Sequence, residues 1–216
     1  MKIIDCKQGS WEWFKERRGR PTASEFDKII TAGGKISQQR WEYMGRLIAE
    51  KIFERQVKED ASTFWTERGK SFEQEAADTY EKMTGFTLEK VGFITTDDGL
   101  VGCSPDRLVT CNDGKHRALE IKVPTPWKHM VYTLFGPGTD YFVQMQGQMY
   151  VAELDEVDFF SYNPGMPSSV YTMKRNDRFI RELRNALKIF VEELKKYEVE
   201  ARSMGNYQWL LPDKTW

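Results

Sequence analysis

The hydrophobic pattern of the chain changes its period at Phe86, and this change requires a fold that contains both helices and strands. Before Phe86, apolar residues recur at helical spacing from Trp41 to Ile52 and again from Phe72 to Met83. After it follow short β-rich runs at 86–95, 100–103, 107–111 and 118–123, with Asp-Asp-Gly and Asn-Asp-Gly turns between them. We predict that these four runs are strands of one sheet.

Helical and strand patterns also alternate in the rest of the chain. Thr22-Ala-Ser-Glu25 has the form of a capping box and predicts the start of a short helix. Two helical stretches flank Gly136-Pro-Gly138, two strands follow near 157–162 and 170–173, and a long amphipathic helix begins near Phe179. The predicted fold class is α/β, with a mixed central β-sheet flanked by helices and residues 1–216 in a single domain.

Composition excludes several classes of protein. The 216 residues are 40% hydrophobic, which is enough for one core, and the 32 basic and 33 acidic residues leave the choice of partner open. Cys6, Cys103 and Cys111 lack metal-site spacing, which argues against a disulfide framework, a zinc site or an iron–sulfur cluster. No apolar run reaches the roughly 20 residues of a membrane span, so we expect a soluble, cytoplasmic protein.

A predicted hairpin around Asn112-Asp-Gly-Lys115 brings polar residues together. Asp106 and Glu120 are equidistant from Asp113, so symmetric pairing would place their Cβ atoms about 4.5–5.5 Å apart. Side chains alternate along a strand, so Lys122 projects to the same face as Glu120. Two acids and a lysine are therefore expected to converge.

Paired carboxylates at this distance either share a proton or hold divalent cations, and hard oxygen ligands suit magnesium or manganese. A nearby lysine favours a hydrolytic site, because its charge stabilises a phosphate under attack. On spacing alone, a surface hairpin with alternating polar residues explains Asp106, Glu120 and Lys122 equally well.

Two more polar residues lie beside apolar helix faces. Glu73 shares a face with Tyr80, and Gln146 lies on the line that joins Phe142 to Tyr150. A catalytic cleft would give both side chains polar partners. For either residue alone, the simpler explanation is an inward polar side chain that the backbone satisfies.

Together these motifs resemble a known nuclease superfamily. Ser104-Pro-Asp106 followed by Glu120-Ile-Lys122 resembles the PD-(D/E)xK signature of restriction-endonuclease-like cores, and Gln146-Gly-Gln-Met-Tyr150 resembles its Q-x-x-x-Y element. Further stretches are similar, in order and separation, to the phage lambda exonuclease family of YqaJ-like viral recombinases: Thr22-Ala-Ser-Glu25, Gly69-Lys70 with Glu73, Cys103-Ser-Pro-Asp106, Leu119-Glu-Ile-Lys-Val-Pro124 and Gln144-Met-Gln146.

The resemblance implies roles for individual residues. It implies that two magnesium ions, for which manganese can substitute, are held by Glu73, Asp106, Glu120 and the carbonyl of Ile121. It also implies that Lys122 assists the attacking water and that Gln146 belongs to the catalytic set. Arg17 and Ser24 would bind the 5′-phosphate of a DNA end, which agrees with the basic cluster around Arg17.

The implied activity is that of a magnesium-dependent 5′ to 3′ exonuclease. It would degrade one strand of linear double-stranded DNA to mononucleotides and leave a 3′ single strand for recombination by annealing. The implied partners are DNA ends and a single-strand annealing protein of the Red beta and RecT type. The resemblance also implies a homotrimer that works in the cytoplasm of the bacterial host cell. At the position of the family's apolar duplex wedge this chain has Thr66, with Phe64 and Trp65 as neighbouring candidates.

Two other functions remain open from the residues. A restriction-type endonuclease could use the same core, and a non-catalytic binding module could retain the fold for assembly. His116 and His129 lack triad, HNH or metal-ligand spacing, and the chain has no phosphate-binding P-loop sequence. A serine hydrolase and an ATP-driven helicase are therefore not expected.

Overall fold

The computed structural model describes residues 1–55 and 64–204, without the side chains of 64–66 and 70. Its elements, in chain order, are β1 Lys2–Ile4, α1 Trp11–Arg17, a 3-10 helix Ala23–Lys28, α2 Arg40–Phe53, α3 Phe64–Thr84, β2 Thr87–Glu89, β3 Phe93–Thr95, β4 Gly102–Cys103, β5 Arg107–Thr110, β6 His116–Lys122, α4 Pro126–Phe135, α5 Phe142–Val151, β7 Glu156–Ser161, β8 Ser169–Lys174 and α6 Asp177–Ser203. Within the described ranges, no helix combines the length and apolarity needed to cross a membrane.

The central sheet has five strands in the order β2-β5-β6-β7-β8. Strands β6 and β7 run parallel, with Glu120 beside Phe159 and Lys122 beside Ser161, and the other neighbours are antiparallel. Helices cover this sheet. The prediction of a mixed central sheet flanked by helices is confirmed.

The prediction that the four β-rich runs share one sheet is wrong. The run 86–95 divides into β2, which joins the central sheet, and β3, which pairs with β1 and β4 in a separate three-stranded sheet. The division lies near Gly92, where a Cβ atom would collide with the backbone carbonyl of Cys6. The close approach of this N-terminal segment separates the two strands, and it depends on contacts that a local pattern does not contain.

The two faces of β6 pack against different helices. Leu119 and Ile121 contact the cluster that contains Ala77 and Tyr80 of α3. Ala118 faces the other way, into a cluster with Met145 and Met149 of α5. Because side chains alternate along a strand, Glu120 and Lys122 project to the α5 side of the sheet.

The hairpin register agrees with the symmetric prediction. Arg107 pairs with Leu119 and Thr110 pairs with His116, so the pairing is centred on Asp113. Gly114 has φ of 80°, which allows the chain to reverse in the loop 112–114. Extending the same register places Asp106 opposite Glu120.

The predicted capping box at Thr22 does not form. The short helix begins there but is a 3-10 helix, and the Thr22 side chain makes no cap bond. The Thr22 hydroxyl instead accepts a hydrogen bond from Arg17, and Glu25 forms ion pairs with Lys28 and Arg46. Both side chains find tertiary partners that compete with the local cap.

Candidate active site

Asp106 is held against β6 at the open end of the hairpin. Its backbone N–H donates to the carbonyl of Leu119 at 3.1 Å, and its Oδ2 accepts from the Ile121 N–H at 2.6 Å. Partial burial and the negative charge of Glu120 raise the pKa of Asp106 to about 7, against the opposing effects of Lys122 and the Ile121 amide. This carboxyl group therefore retains a proton far more readily than an exposed aspartate does.

Glu120 is 3% exposed, and both of its carboxylate oxygens have partners. Oε1 forms an ion pair with Lys122 Nζ, and Oε2 accepts a hydrogen bond of 2.6 Å from Gln148 Nε2. Burial alone would lower the pKa of Lys122, but the charges of Glu120 and Asp106 outweigh it and hold that pKa above its usual range. Lys122 is therefore a fixed positive charge.

The donor set around Asp106 suits a hard divalent cation. Two carboxylates share this region with one lysine, so their combined charge exceeds that of Lys122 when both are ionised. Carboxylate oxygens and a backbone carbonyl such as that of Ile121 are ligands that magnesium and manganese accept. Asp106, Glu120 and Ile121 therefore fit the metal that the family resemblance implies.

Glu73 is near Asp106 but is engaged elsewhere. Its charge helps to raise the pKa of Asp106, yet its Oε1 accepts a hydrogen bond of 2.8 Å from Arg107. Glu73 belongs to α3, which covers the face of β6 opposite to Glu120. Among the described residues, no three His, Cys, Asp or Glu side chains form a group suited to a metal ion. The predicted three-carboxylate set is thus not assembled in this conformation.

Arg17, the last residue of α1, is surrounded by hydroxyl groups. Its guanidinium donates to Ser104 at 3.3 Å, to Thr22 at 3.2 Å and to Ser24 at 3.3 Å. It also lies over the ring of Trp13, 4.4 Å from the ring centroid. In the described part of the chain no carboxylate forms a salt bridge with Arg17. Desolvation lowers the pKa of its guanidinium, because burial disfavours the charged form. A partly buried cation with only neutral partners is suited to bind an anion.

One cleft of about 210 Å³ connects the arginine to the acids. Its lining includes Trp13, Arg17, Ser24, Ser104, Glu120, Lys122, Gln144 and Gln148. The structure thus brings together four of the predicted residues, Arg17, Ser24, Glu120 and Lys122, which belong to three different elements. Asp106 adjoins them through the hairpin register.

Gln146 does not lie in this cleft, and its predicted place in the site needs correction. Its Nε2 donates to the carbonyl of Lys174 and its Oε1 accepts from the N–H of Asn176, both at 2.9 Å. It is fully buried and supports the junction between β8 and α6. Gln144 and Gln148 line the cleft instead, because residues four apart share a helix face whereas residues two apart do not.

Sequence reasoning also left Ser104 without a role. Its hydroxyl accepts a hydrogen bond of 2.9 Å from the indole of Trp13 as well as the one from Arg17. The motif Ser104-Pro-Asp106 contained the residue, but its partners on α1 lie far away in sequence.

The sequence also drew attention to the two histidines and to the candidates for the duplex wedge. His129 is buried between Ser161 and the carbonyl of Pro167, and both of its ring nitrogens have partners there, which indicates a structural role. The candidates for the duplex wedge, Thr66, Phe64 and Trp65, lie outside the described side chains, as does Lys70. The structure therefore leaves the wedge as a prediction.

Comparison with solved structures identifies the class of this fold. An alkaline exonuclease from Laribacter hongkongensis, solved alone and in complex with dAMP, matches with a TM-score of 0.80 and 29% sequence identity, over 90% of this chain and 97% of that chain. A phage-related exonuclease from Haemophilus somnus 129PT matches in fold, with a TM-score of 0.66 and 14% identity over 86% and 96% of the two chains. The architecture is that of the PD-(D/E)xK nucleases.

The family assignment is narrower than the fold. Residues 12–155 match the model of the YqaJ-like viral recombinase domain, so this chain belongs to that family. The match extends from α1 through the hairpin to α5 and includes all the predicted site residues. No curated protein sequence gives a significant match.

Proposed function

We propose that this protein is a magnesium-dependent exonuclease that degrades one strand of linear double-stranded DNA from the 5′ end to mononucleotides. The observation that carries the proposal is the single cleft that joins Arg17 and Ser24 to Glu120 and Lys122. An anion site and a candidate hydrolytic site in one cleft suit an enzyme that engages a terminal phosphate while it cleaves the next linkage. Family membership and the likeness to the alkaline exonuclease support the same function.

Asp106, Glu120 and the Ile121 carbonyl would hold the first metal ion. When bound, the metal would neutralise the carboxylates and polarise the phosphate that is attacked. The family resemblance implies a second ion as well. To bind it, Glu73 would have to break its hydrogen bond with Arg107. Manganese is the expected substitute for magnesium.

The protein side chains have distinct tasks in this proposal. Lys122 stabilises the charge that develops on the phosphate, since the neighbouring acids keep its ammonium group protonated. Arg17 and the hydroxyl of Ser24 bind the terminal 5′-phosphate, because a guanidinium can donate two hydrogen bonds to one phosphate. Asp106 and Glu120 carry the metal.

Digestion of a linear duplex labelled at one 5′ end, with and without magnesium, tests this function. We expect labelled mononucleotide to appear first and only with the metal, while a covalently closed circle stays intact. Cleavage of the circle would instead support a restriction-type endonuclease, and DNA binding without cleavage would support a binding module. Earlier release of nucleotides from 3′ ends would refute the proposed polarity.

The proposed product is a duplex with a 3′ single-stranded tail, which is a substrate for an annealing protein of the Red beta and RecT type. Such a partner would act on the strand that the exonuclease leaves behind. Co-sedimentation of the two proteins during digestion tests whether they associate. If the tail anneals to a complementary strand only when the annealing protein is present, the proposed sequence of steps is supported.

We also propose that the protein works as a homotrimer. Exposed apolar side chains on α4 support self-association: Trp127 is 69% exposed, Leu134 64% and Phe135 78%. A closed ring would keep the enzyme on long DNA despite a net charge of only −1, which offers few excess phosphate contacts. Light scattering measures the mass, and digestion with excess trap DNA measures the length degraded per encounter. A monomer that releases DNA after a few nucleotides would refute the trimer.

A further inference from the structure

Gln148 extends from α5 into the cleft and has one satisfied and one unsatisfied polar atom. The residue is 1% exposed, and its Nε2 donates to Glu120 Oε2 at 2.6 Å. Its Oε1 is buried and has no hydrogen-bond partner among the described residues. A buried acceptor without a donor costs about 1–3 kcal/mol, so such an atom in a cleft indicates a missing ligand or water.

The orientation of this amide follows from the chemistry of its neighbour. An ionised carboxylate only accepts hydrogen bonds, so the NH₂ group of Gln148 must face Glu120. The carbonyl oxygen then points away from Glu120 and needs a donor from the cleft. Phosphate oxygens of DNA cannot supply one, because they are acceptors, whereas a water molecule can.

We propose that Gln148 orients the water that attacks the phosphate, accepting a hydrogen bond from it at Oε1 while Nε2 holds Glu120. This inference rests on the proposed nuclease function. The water oxygen forms a bond to phosphorus, and the bond from phosphorus to the 3′ oxygen breaks. That oxygen leaves with one proton, and the second proton of the water goes to solvent. Gln148 takes no proton, because an amide oxygen is a very weak base; it fixes the direction of attack.

The same glutamine links the attacking water to the proposed metal ligands. Glu120 is held on one side by Lys122 and on the other by Gln148, so its carboxylate cannot rotate freely. A water bound to Gln148 is therefore placed at a fixed position relative to Glu120 and to the ammonium group of Lys122. Gln144 is only partly buried, and the amide of Gln146 is bonded to the backbone at Lys174 and Asn176, so among the described residues neither provides this connection.

The variant Gln148→Met tests the proposal, because methionine has a similar length and makes no such hydrogen bonds. Single-turnover cleavage of a linear duplex is measured over a range of Mn²⁺ concentrations, and Ca²⁺ affinity is measured by calorimetry. We expect DNA-end affinity to stay unchanged and Ca²⁺ affinity to fall, because Glu120 loses one of its two partners. At saturating Mn²⁺ the metal site is filled, and we expect the rate to remain about 10²-fold lower because the attacking water is no longer oriented. Gln38→Met, an exposed substitution before α2, is the matched control.

Two results would overturn this role for Gln148. If high Mn²⁺ restores the rate, Gln148 acts only by holding Glu120 for the metal. If the rate never falls, the unsatisfied oxygen has no part in catalysis. If the methionine variant unfolds, the same cleavage assay is applied to Gln148→Asn, whose amide is one methylene group shorter and lies farther from the cleft. A wild-type protein that cleaves no linear duplex with either Mg²⁺ or Mn²⁺ would overturn the nuclease function itself.

Discussion

Arg107 of β5 and Glu73 of α3 form a hydrogen-bonded ion pair of 2.8 Å in which the two partners are unequally buried. The Arg107 side chain is 5% exposed, whereas that of Glu73 is 41% exposed. Arg107 also donates to the carbonyl of Asp106 and to Gln74, so its position is fixed from three sides. The arginine therefore holds a carboxylate that the family resemblance assigns to metal binding.

Arg107→Ala should release Glu73 towards the metal site. We expect tighter Ca²⁺ binding in calorimetric titration, because one competing cation is removed. The free energy of unfolding in urea should fall by about 1–3 kcal/mol, because only the Arg107 side chain of the pair is buried. Lys90→Ala removes an exposed charge near the same carboxylates and serves as control. Unchanged Ca²⁺ affinity would mean that Glu73 is not a metal ligand.

Lys122→Ala should abolish most cleavage while DNA binding is retained. Its ammonium group stabilises developing charge and holds no metal, so the single-turnover rate should fall by roughly 10²–10³. Asp106→Ala should lose metal binding as well as activity. Binding to a labelled duplex end in Ca²⁺ and cleavage in Mg²⁺ separate the two effects, with Lys128→Ala as the control lysine on α4. Turnover near the wild-type rate in either variant would place the active site elsewhere.

Metal affinity should depend on pH through Asp106. Its pKa of about 7 in the folded protein lies above the value of about 3.9 for an unfolded chain. The folded state therefore binds the extra proton between these values, and without metal its stability falls as pH rises from about 4 to 7. Since a metal ion displaces this proton, Ca²⁺ affinity should rise up to about tenfold per pH unit below 7 and then level off.

Calorimetric titrations of Ca²⁺ from pH 6 to pH 8 in two buffers measure both the affinity and the protons released. Urea unfolding in the presence of a chelator measures the stability. The variant Asp106→Asn should show a flatter dependence of stability on pH. A Ca²⁺ affinity that does not change below pH 7 would contradict the assignment of Asp106 as a ligand.

Arg17→Ala should remove the preference for 5′-phosphorylated ends over 5′-hydroxyl ends. The guanidinium has hydroxyl partners and no carboxylate salt bridge among the described residues, so a phosphate would be its strongest partner. Competition between the two kinds of duplex end measures the preference ratio. Lys15→Ala, an exposed change on the same helix, should leave the ratio intact. A ratio unchanged in Arg17→Ala would assign the arginine to a structural role.

Gln146→Met should reduce stability and spare the chemical step. The substitution leaves the carbonyl of Lys174 and the N–H of Asn176 without their partner, at a cost of about 1–3 kcal/mol for each group. Urea unfolding measures the loss, and single-turnover cleavage at a temperature where the variant is folded measures the chemistry. A cleavage rate as low as that of Gln148→Met would show that Gln146 takes part in catalysis, as the family resemblance implies.

Local sequence patterns predicted much of the fold and part of the site. The helical stripes, the later strand pair and the hairpin centred on Asp113 follow from periodicity and turn residues, which act over a few positions. The common face of Glu120 and Lys122 follows from the alternation of side chains along a strand. Arg17 and Ser24 were predicted through the family resemblance to bind the 5′-phosphate, and they line the cleft that also contains Glu120 and Lys122.

By itself, therefore, the sequence determined most of the helices and strands, the hairpin register and the family. Only the tertiary structure decided that 86–95 is divided between two sheets, that Gln148 rather than Gln146 reaches Glu120, and that Glu73 is held by Arg107. Each of these outcomes depends on which faces of separate elements meet. Such contacts join residues tens of positions apart, and their energies depend on burial and on competing partners, which the spacing of residues in one chain does not specify.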